Sequence, residues 1–257
     1  MITSRQNERL KELRKLHDRK HRERSKRFLA EGEDMLTEAS RWGAAPDIVF
    51  FDPEALGADA PVFSGLPDEV EMVAVKGDVL RTSGSLGSGS RVIGVWEQRE
   101  EGLDHLRDVG VYLHEVADPG NVGAVVRAAL ALMPSTVVVS PGTADPFSPK
   151  AVRASMGAIF GQPIVRASFD DLRSQARDAR LIALALRTGK VLTEVTLRPP
   201  LVFCLGPERS GLAGEIVSRC DEVCHIPLQL DGAESLNVAM AATICLYETT
   251  KYSSADE

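Results

Sequence analysis

From Val109 onward the chain alternates short, uninterrupted apolar runs with segments of helical spacing. "VGVYLHEV" predicts a strand, 121–133 a helix, "TVVVS" a strand, 148–160 a helix, "QPIVRA" a strand and 170–179 a helix. The pattern continues through "LIALAL" and "PLVFCLG" as strands, 212–219 as helix, "EVCHIPL" as strand and 235–250 as helix. Strands that are apolar at every position are buried on both faces, so this half predicts an α/β fold whose parallel sheet is covered by helices on both sides. Ligands of such sheets sit at the carboxyl ends of the strands.

The first hundred residues have a different texture. Leu10, Leu13 and Leu16 recur at helical spacing inside "SRQNERLKELRKLHDRKHRERSKRFLAEG", which predicts an amphipathic helix with a cationic outer face. A helix at 31–41 and the extended runs "DIVFF", "VEMVAV" and "RVIGVWEQ" follow, giving a small α/β unit. "RTSGSLGSGS" (81–90) precedes a strand rather than a helix, so no helix N-terminus faces a ligand there, and it reads as a mobile surface loop. The charged stretch 97–108 reads as a linker, which sets domains at 1–98 and 109–257.

Charge changes the picture in one place. The 257 residues carry a formal −7, yet residues 1–28 hold 11 Lys and Arg against 4 Asp and Glu, leaving −14 on the rest. An anionic protein with a local +7 is compatible with a nucleic-acid partner held by that arm; the competing reading is a solvated helix with no partner. No apolar run is long enough for a membrane span and the first residues lack the apolar core of a secretion signal, which predicts a cytosolic protein. Cys204, Cys220, Cys224 and Cys245 then read as free thiols, and Cys220 and Cys224 have no second ligand pair at a finger-like spacing, so no metal site is expected.

Three loops at strand ends run into helices: "ADPGNVG" (117–123), "GPERSGL" (206–212) and "QLDGAESLN" (229–237). Gly206 and Gly211 have the spacing of a P-loop's glycines, but Leu212 stands where its lysine belongs, and none of the loops contains GxGxxG. Neither a nucleoside triphosphate nor a dinucleotide is supported. A ligand bound by backbone groups and apolar walls, such as S-adenosylmethionine, suits these loops better. His114 and His225 fall within strand patterns and read as structural, and no Ser-His-Asp arrangement is visible.

Taken in order, "DPGNVGAVVRAA", "LVFCLGPERSGL" and "IPLQLDGAESLNVAMAATICLYE", with "SPKAVRASMGAIFGQPI" between the first two, resemble the SpoU (TrmH) family of RNA ribose 2′-O-methyltransferases over 109–257. The N-terminal segments "FLAEGEDML" and "VIGVWEQ" resemble, more weakly, the RNA-binding domain that often precedes the catalytic one. One departure is "PERSG", where many members have Asn-Glu-Gly or Pro-Glu-Gly; Glu208 is kept. The resemblance implies a C-terminal deep trefoil knot, S-adenosylmethionine as cofactor, and a homodimer with its active site near the subunit interface. It further implies an RNA substrate, ribosomal RNA ahead of transfer RNA. A non-catalytic RNA-binding or ribosome-assembly factor is the alternative from another class.

By motif position the resemblance assigns Arg127, Asn121, Glu208, Ser235 and Asn237 to catalysis, and Gly206, Ile226 and Leu236 to the cofactor. Arg127 is the only charged side chain between Pro119 and Ala144, and a guanidinium among small apolar residues is costly to desolvate unless it meets an acid or an anion. A position facing the substrate is one outcome; an exposed arginine on an outer helix face is the other. Two roles are open to it: the general base that the family analogy suggests, or a cationic clamp on a substrate phosphate. Arginine is ordinarily a poor base. For Asn121, Ser235 and Asn237, helix capping competes with a role in the site.

Overall fold

The computed structural model of the protein describes residues 1–85, 89–229 and 235–253. By packing, the chain divides into two compact units, 1–98 with 145–161, and 99–144 with 162–257.

The first unit is built on a four-stranded sheet of β1 (Arg27–Glu31), β2 (Ile48–Phe51), β3 (Glu71–Ala74) and β4 (Val92–Glu97), in the order β1-β4-β2-β3. Strand β4 is antiparallel to both its neighbours, while β2 and β3 run parallel. The arm forms two short helices, Glu8–Lys15 and Arg19–Ser25, capped by the side chains of Asn7 and Asp18. Leu10, Leu13 and Leu16 pack with Leu29, Phe50 and Ile93 and are all but inaccessible to solvent. Each contributes about 1.5–3 kcal/mol of burial, so the arm is part of this core rather than an appendage.

Helix Glu33–Arg41 stands at the predicted place, but β1 and the helix Gly77–Arg81 were not expected from the sequence. Of the loop expected at 81–90, residues 86–88 lie outside the described residues.

The helix expected over 148–160 is broken. It runs from Pro149 to Ser155, then Met156 (φ 49°) and Gly157 (φ 86°) turn the chain into a single turn of 3-10 helix at Ala158–Phe160. A side chain at 157 would lie 2.4 Å from Cβ of Glu38, so only glycine fits that close approach. This segment belongs to the first unit, where Phe28 meets Phe147 at 5.1 Å and Trp96 meets Phe160 at 4.8 Å between ring centroids.

The second unit holds a seven-stranded sheet in which every pairing is parallel. Its strands are β5 (Val109–Leu113), β6 (Thr136–Val139), β7 (Ile164–Arg166), β8 (Arg180–Leu184), β9 (Lys190–Val191), β10 (Leu201–Leu205) and β11 (Glu222–His225). The order is β7-β6-β5-β10-β8-β11-β9.

Residues of β5 and β10 are buried at every position, as the unbroken apolar runs require. Tyr112, Val138, Val165, Leu181, Val202 and Cys204 form one face with Phe169, Leu172 and Ile216. Alternation sends Val111, Leu113, Val137 and Phe203 to the other. Helices Pro119–Leu132 and Val238–Ser253 pack against each other. No helix among the described residues is long and apolar enough to cross a membrane.

Candidate active site

The loops after β8, β10 and β11 converge on an open cleft. Its walls include Leu184, Leu205, Ile226, Leu228, Leu236 and Val238, with Gly206, Glu208 and Ser235 among them. All three residues assigned to the cofactor from the sequence therefore stand together. Gly206 is held there by the loop's own fold: a Cβ would lie 2.4 Å from the carbonyl of Gly211, while the Gly211 amide donates to the carbonyl of Pro207 at 2.8 Å. The loop closes on itself like a clasp, with no room for a side chain at 206.

Asn121 does not cap its helix. Asp118 does so, its Oδ1 accepting from the Gly120 amide at 2.6 Å with Pro119 in the first helical position. The Asn121 side chain is free for long-range contacts instead. Its Nδ2 donates to Oε1 of Glu208, and its Oδ1 accepts from Nδ2 of Asn237 at 2.8 Å. Oδ1 of Asn237 accepts from the amides of Ala239 at 2.9 Å and Met240 at 3.3 Å. Asn237 thus caps the last helix and joins the network at once. One chain of side-chain hydrogen bonds ties together all three loops singled out in the sequence.

Arg127 lies apart from both the network and the cleft lining. Six residues beyond Asn121, it is about 9 Å further along the helix and about 120° around it. It is exposed and, among the described residues, meets neither an acid nor a hydrogen-bond acceptor. Of the two placements open to it, the guanidinium is exposed rather than enclosed by its small neighbours.

The sequence reading missed Arg187, which also lines the cleft, together with Ala185 and Leu186. "ALRTG" matches no motif; its signal was its position, directly after the carboxyl end of a parallel strand. The four cysteines are free thiols, with Cys204, Cys224 and Cys245 buried. Burial pushes the Cys224 thiol up to about 12. Among the described residues no group of three or more His, Cys, Asp or Glu side chains could hold a metal.

A parallel α/β sheet with an apolar cleft at its strand ends, walled by a glycine-bearing loop and a polar network, defines a class of ligand-binding enzyme folds. Within that class the chain belongs to the SpoU rRNA Methylase family, whose model matches residues 108–247; an MRM3-like substrate binding domain matches 7–87.

The chain is 30% identical over 251 residues to the 23S rRNA (guanosine(2553)-2′-O)-methyltransferase RlmP of Bacillus subtilis, covering 96% of this chain and 97% of that one. An AdoMet-bound rRNA methyltransferase from Sinorhizobium meliloti superposes with a TM-score of 0.84 at 30% identity, covering 98% and 97% of the two chains. The SpoU methyltransferase AviRb of Streptomyces viridochromogenes, in complex with AdoMet, gives 0.87 at 25% identity, covering 98% and 100%.

Proposed function

We propose that the protein transfers a methyl group from S-adenosylmethionine to a ribose 2′-hydroxyl of ribosomal RNA. The observation that carries this is the apolar cleft walled by Gly206, Ile226 and Leu236 and braced by the Asn121, Glu208 and Asn237 network, in a chain of the SpoU family. The apolar walls of the cleft suit the adenosyl group of that methyl donor, with Arg187 as the one cation among its described lining. S-adenosylmethionine, when bound, supplies a methyl group on a sulfonium.

The protein's own residues then have separate duties. Gly206 lets the ligand approach the backbone, Ile226 and Leu236 exclude water, and Ser235 offers a hydroxyl on the cleft wall. Asn121, Glu208 and Asn237 fix the three loops so that donor and acceptor can be held in line. The exposure of Arg127 supports the role of a clamp on a substrate phosphate, for which the planar guanidinium is suited.

A homodimer is part of this reading. Met240 and Tyr247 are 61% and 58% exposed and seven residues apart on the last helix, so they form an apolar stripe on one face of it. That helix packs against the one carrying Arg127, and a second subunit laid on the stripe would complete the site. The C-terminal segment forms the deep trefoil knot of the family. Residues 1–98, with 145–161 packed into the same unit, serve as the RNA-binding domain and the rest of 109–257 as the methyltransferase domain, and a cytoplasmic location accords with the free thiols.

The test is calorimetry with S-adenosylhomocysteine, followed by mapping of 2′-O-methyl groups on ribosomal and transfer RNA from a deletion strain and its parent. A chain that binds RNA but no S-adenosylhomocysteine would be the non-catalytic factor; loss of a methyl group from transfer RNA would move the substrate.

A further inference from the structure

Two charged residues, Glu208 and Arg187, line the cleft among its described residues. The Glu208 carboxylate is engaged by Asn121. Arg187 is exposed and has no ion pair or hydrogen bond with any described residue. It lies in the loop between β8 and β9 with φ 56°, a conformation that a residue bearing Cβ keeps only where its surroundings impose it. A cation without a described partner thus stands on the wall of a mostly apolar cleft.

S-adenosylmethionine carries two cations, the sulfonium and the ammonium, and one anion, the carboxylate of its methionyl part. A guanidinium on the wall repels the sulfonium and attracts the carboxylate, so it determines which end of the ligand lies along the β8–β9 loop. Its planar fork matches the two carboxylate oxygens. We infer that Arg187 binds the cofactor carboxylate and makes the protein select the amino-acid form of the ligand over its decarboxylated counterpart. This rests on the cofactor assigned above. A substrate phosphate would also attract an exposed arginine, but Arg187 lines the same cleft as Gly206, Ile226 and Leu236, where a small ligand rather than an RNA backbone fits.

The experiment is calorimetry on the full chain with S-adenosylhomocysteine and with decarboxylated S-adenosylhomocysteine, which keeps the adenosine, thioether and amine. The parent protein should prefer the carboxylated ligand by about ten-fold or more, as a charge-assisted bidentate contact provides. Arg187→Ala should bring the two affinities within about two-fold by weakening only the carboxylated one, and Arg187→Lys should restore part of the preference. Arg187→Gly, which relaxes the left-handed backbone, should behave like Arg187→Ala; restoration of the preference by glycine would show that the loop and not the guanidinium acts, and would overturn the inference.

A parent that binds both ligands equally, or an alanine variant that keeps the full preference, overturns it too. So does a variant whose RNA affinity falls while its ligand preference stays. A parent that binds neither ligand overturns the cofactor assignment itself, a distinguishable failure.

Discussion

Nδ2 of Asn237 donates to Oδ1 of Asn121 across 2.8 Å, joining residues 116 positions apart in the chain. Because Asn237 also caps the last helix and Asn121 also holds Glu208, the pair couples two helices and the loop after β10.

That coupling is measurable. Asn237→Ala should destabilise the protein by about 1–2 kcal/mol, since both the cap and the bond to Asn121 disappear. A double-mutant cycle with Asn121→Ala should give a coupling of about 0.5–1.5 kcal/mol in urea unfolding. Strict additivity would mean that the two side chains do not act on each other in solution.

Arg127 should separate chemistry from cofactor binding. It lies outside the cleft lining, so Arg127→Ala should leave S-adenosylhomocysteine affinity within a few-fold and stability within about 0.5 kcal/mol, while methyl transfer is abolished. Arg127→Lys should rescue poorly if planar phosphate contact matters. Near-parental turnover by the alanine variant, measured with tritiated S-adenosylmethionine and RNA, would remove Arg127 from the mechanism.

What was legible in the sequence follows from how each element is stabilised. Strands β5, β6 and β10 are buried on both faces, and that leaves an unbroken apolar run that period alone identifies. Strand β1 is stabilised by pairing with β4 in antiparallel register, and its five residues sit at the end of a charge-rich helical stretch that masks them. The two-residue β9 leaves no pattern at all.

The site shows the same division. The glycine and polar loops at strand ends were visible, but the Asn121 to Asn237 bond is made only when distant segments meet. Arg127 shows the limit most plainly: small apolar neighbours along a helix do not say on which face its one charge lies.

The basic arm should act through fewer charges than it carries. At least six of its cations pair with acids among the described residues, and three of those acids, Asp47, Glu71 and Asp145, lie outside the segment, which lowers its local excess below +7. Arg5, Lys20 and Arg24 are exposed and meet no carboxylate among the described residues. Replacing these three by Gln should flatten the dependence of log RNA affinity on log salt by roughly 0.7–0.9 for each phosphate that is no longer neutralised. Deleting the arm is the wrong test, since Leu10, Leu13 and Leu16 belong to the core. Unchanged slopes in the triple variant would place RNA recognition elsewhere.

Arg22 should behave in the opposite way to those three. Its Nε and Nη2 reach Oδ2 of Asp145 at 2.8 and 2.7 Å, and Nη1 donates to the carbonyls of Leu16 and His17, with both charged side chains 3% exposed. Arg22→Ala would strip the buried Asp145 carboxylate of both guanidinium hydrogen bonds and should cost about 1.5–3 kcal/mol of stability without changing the salt slope of the folded fraction.

Asp221 should give the second unit a distinct acid response. Arg173 donates to both its oxygens at 2.7 Å, and the amide of Leu181 donates to Oδ2 at 2.8 Å, so the residue before β11 is tied to helix Phe169–Gln175 and to β8. The hydrogen bond from Arg173 first, then that from the Leu181 amide, holds the carboxyl below the usual carboxylate range. A carboxyl with a depressed value in the folded state stabilises the protein above its unfolded value, near 4, and that contribution is lost as pH falls through the lower folded value.

Partial exposure limits the effect at neutral pH to about 1 kcal/mol. Asp221→Asn keeps the shape but not the charge, so it should lower stability at pH 7 by that amount, and the gap to the parent should narrow as pH falls below the unfolded value. Urea unfolding of both proteins between pH 2 and 7 measures this directly. If the gap between them stays constant down to pH 2, the ionised form of Asp221 is not what stabilises this corner of the sheet.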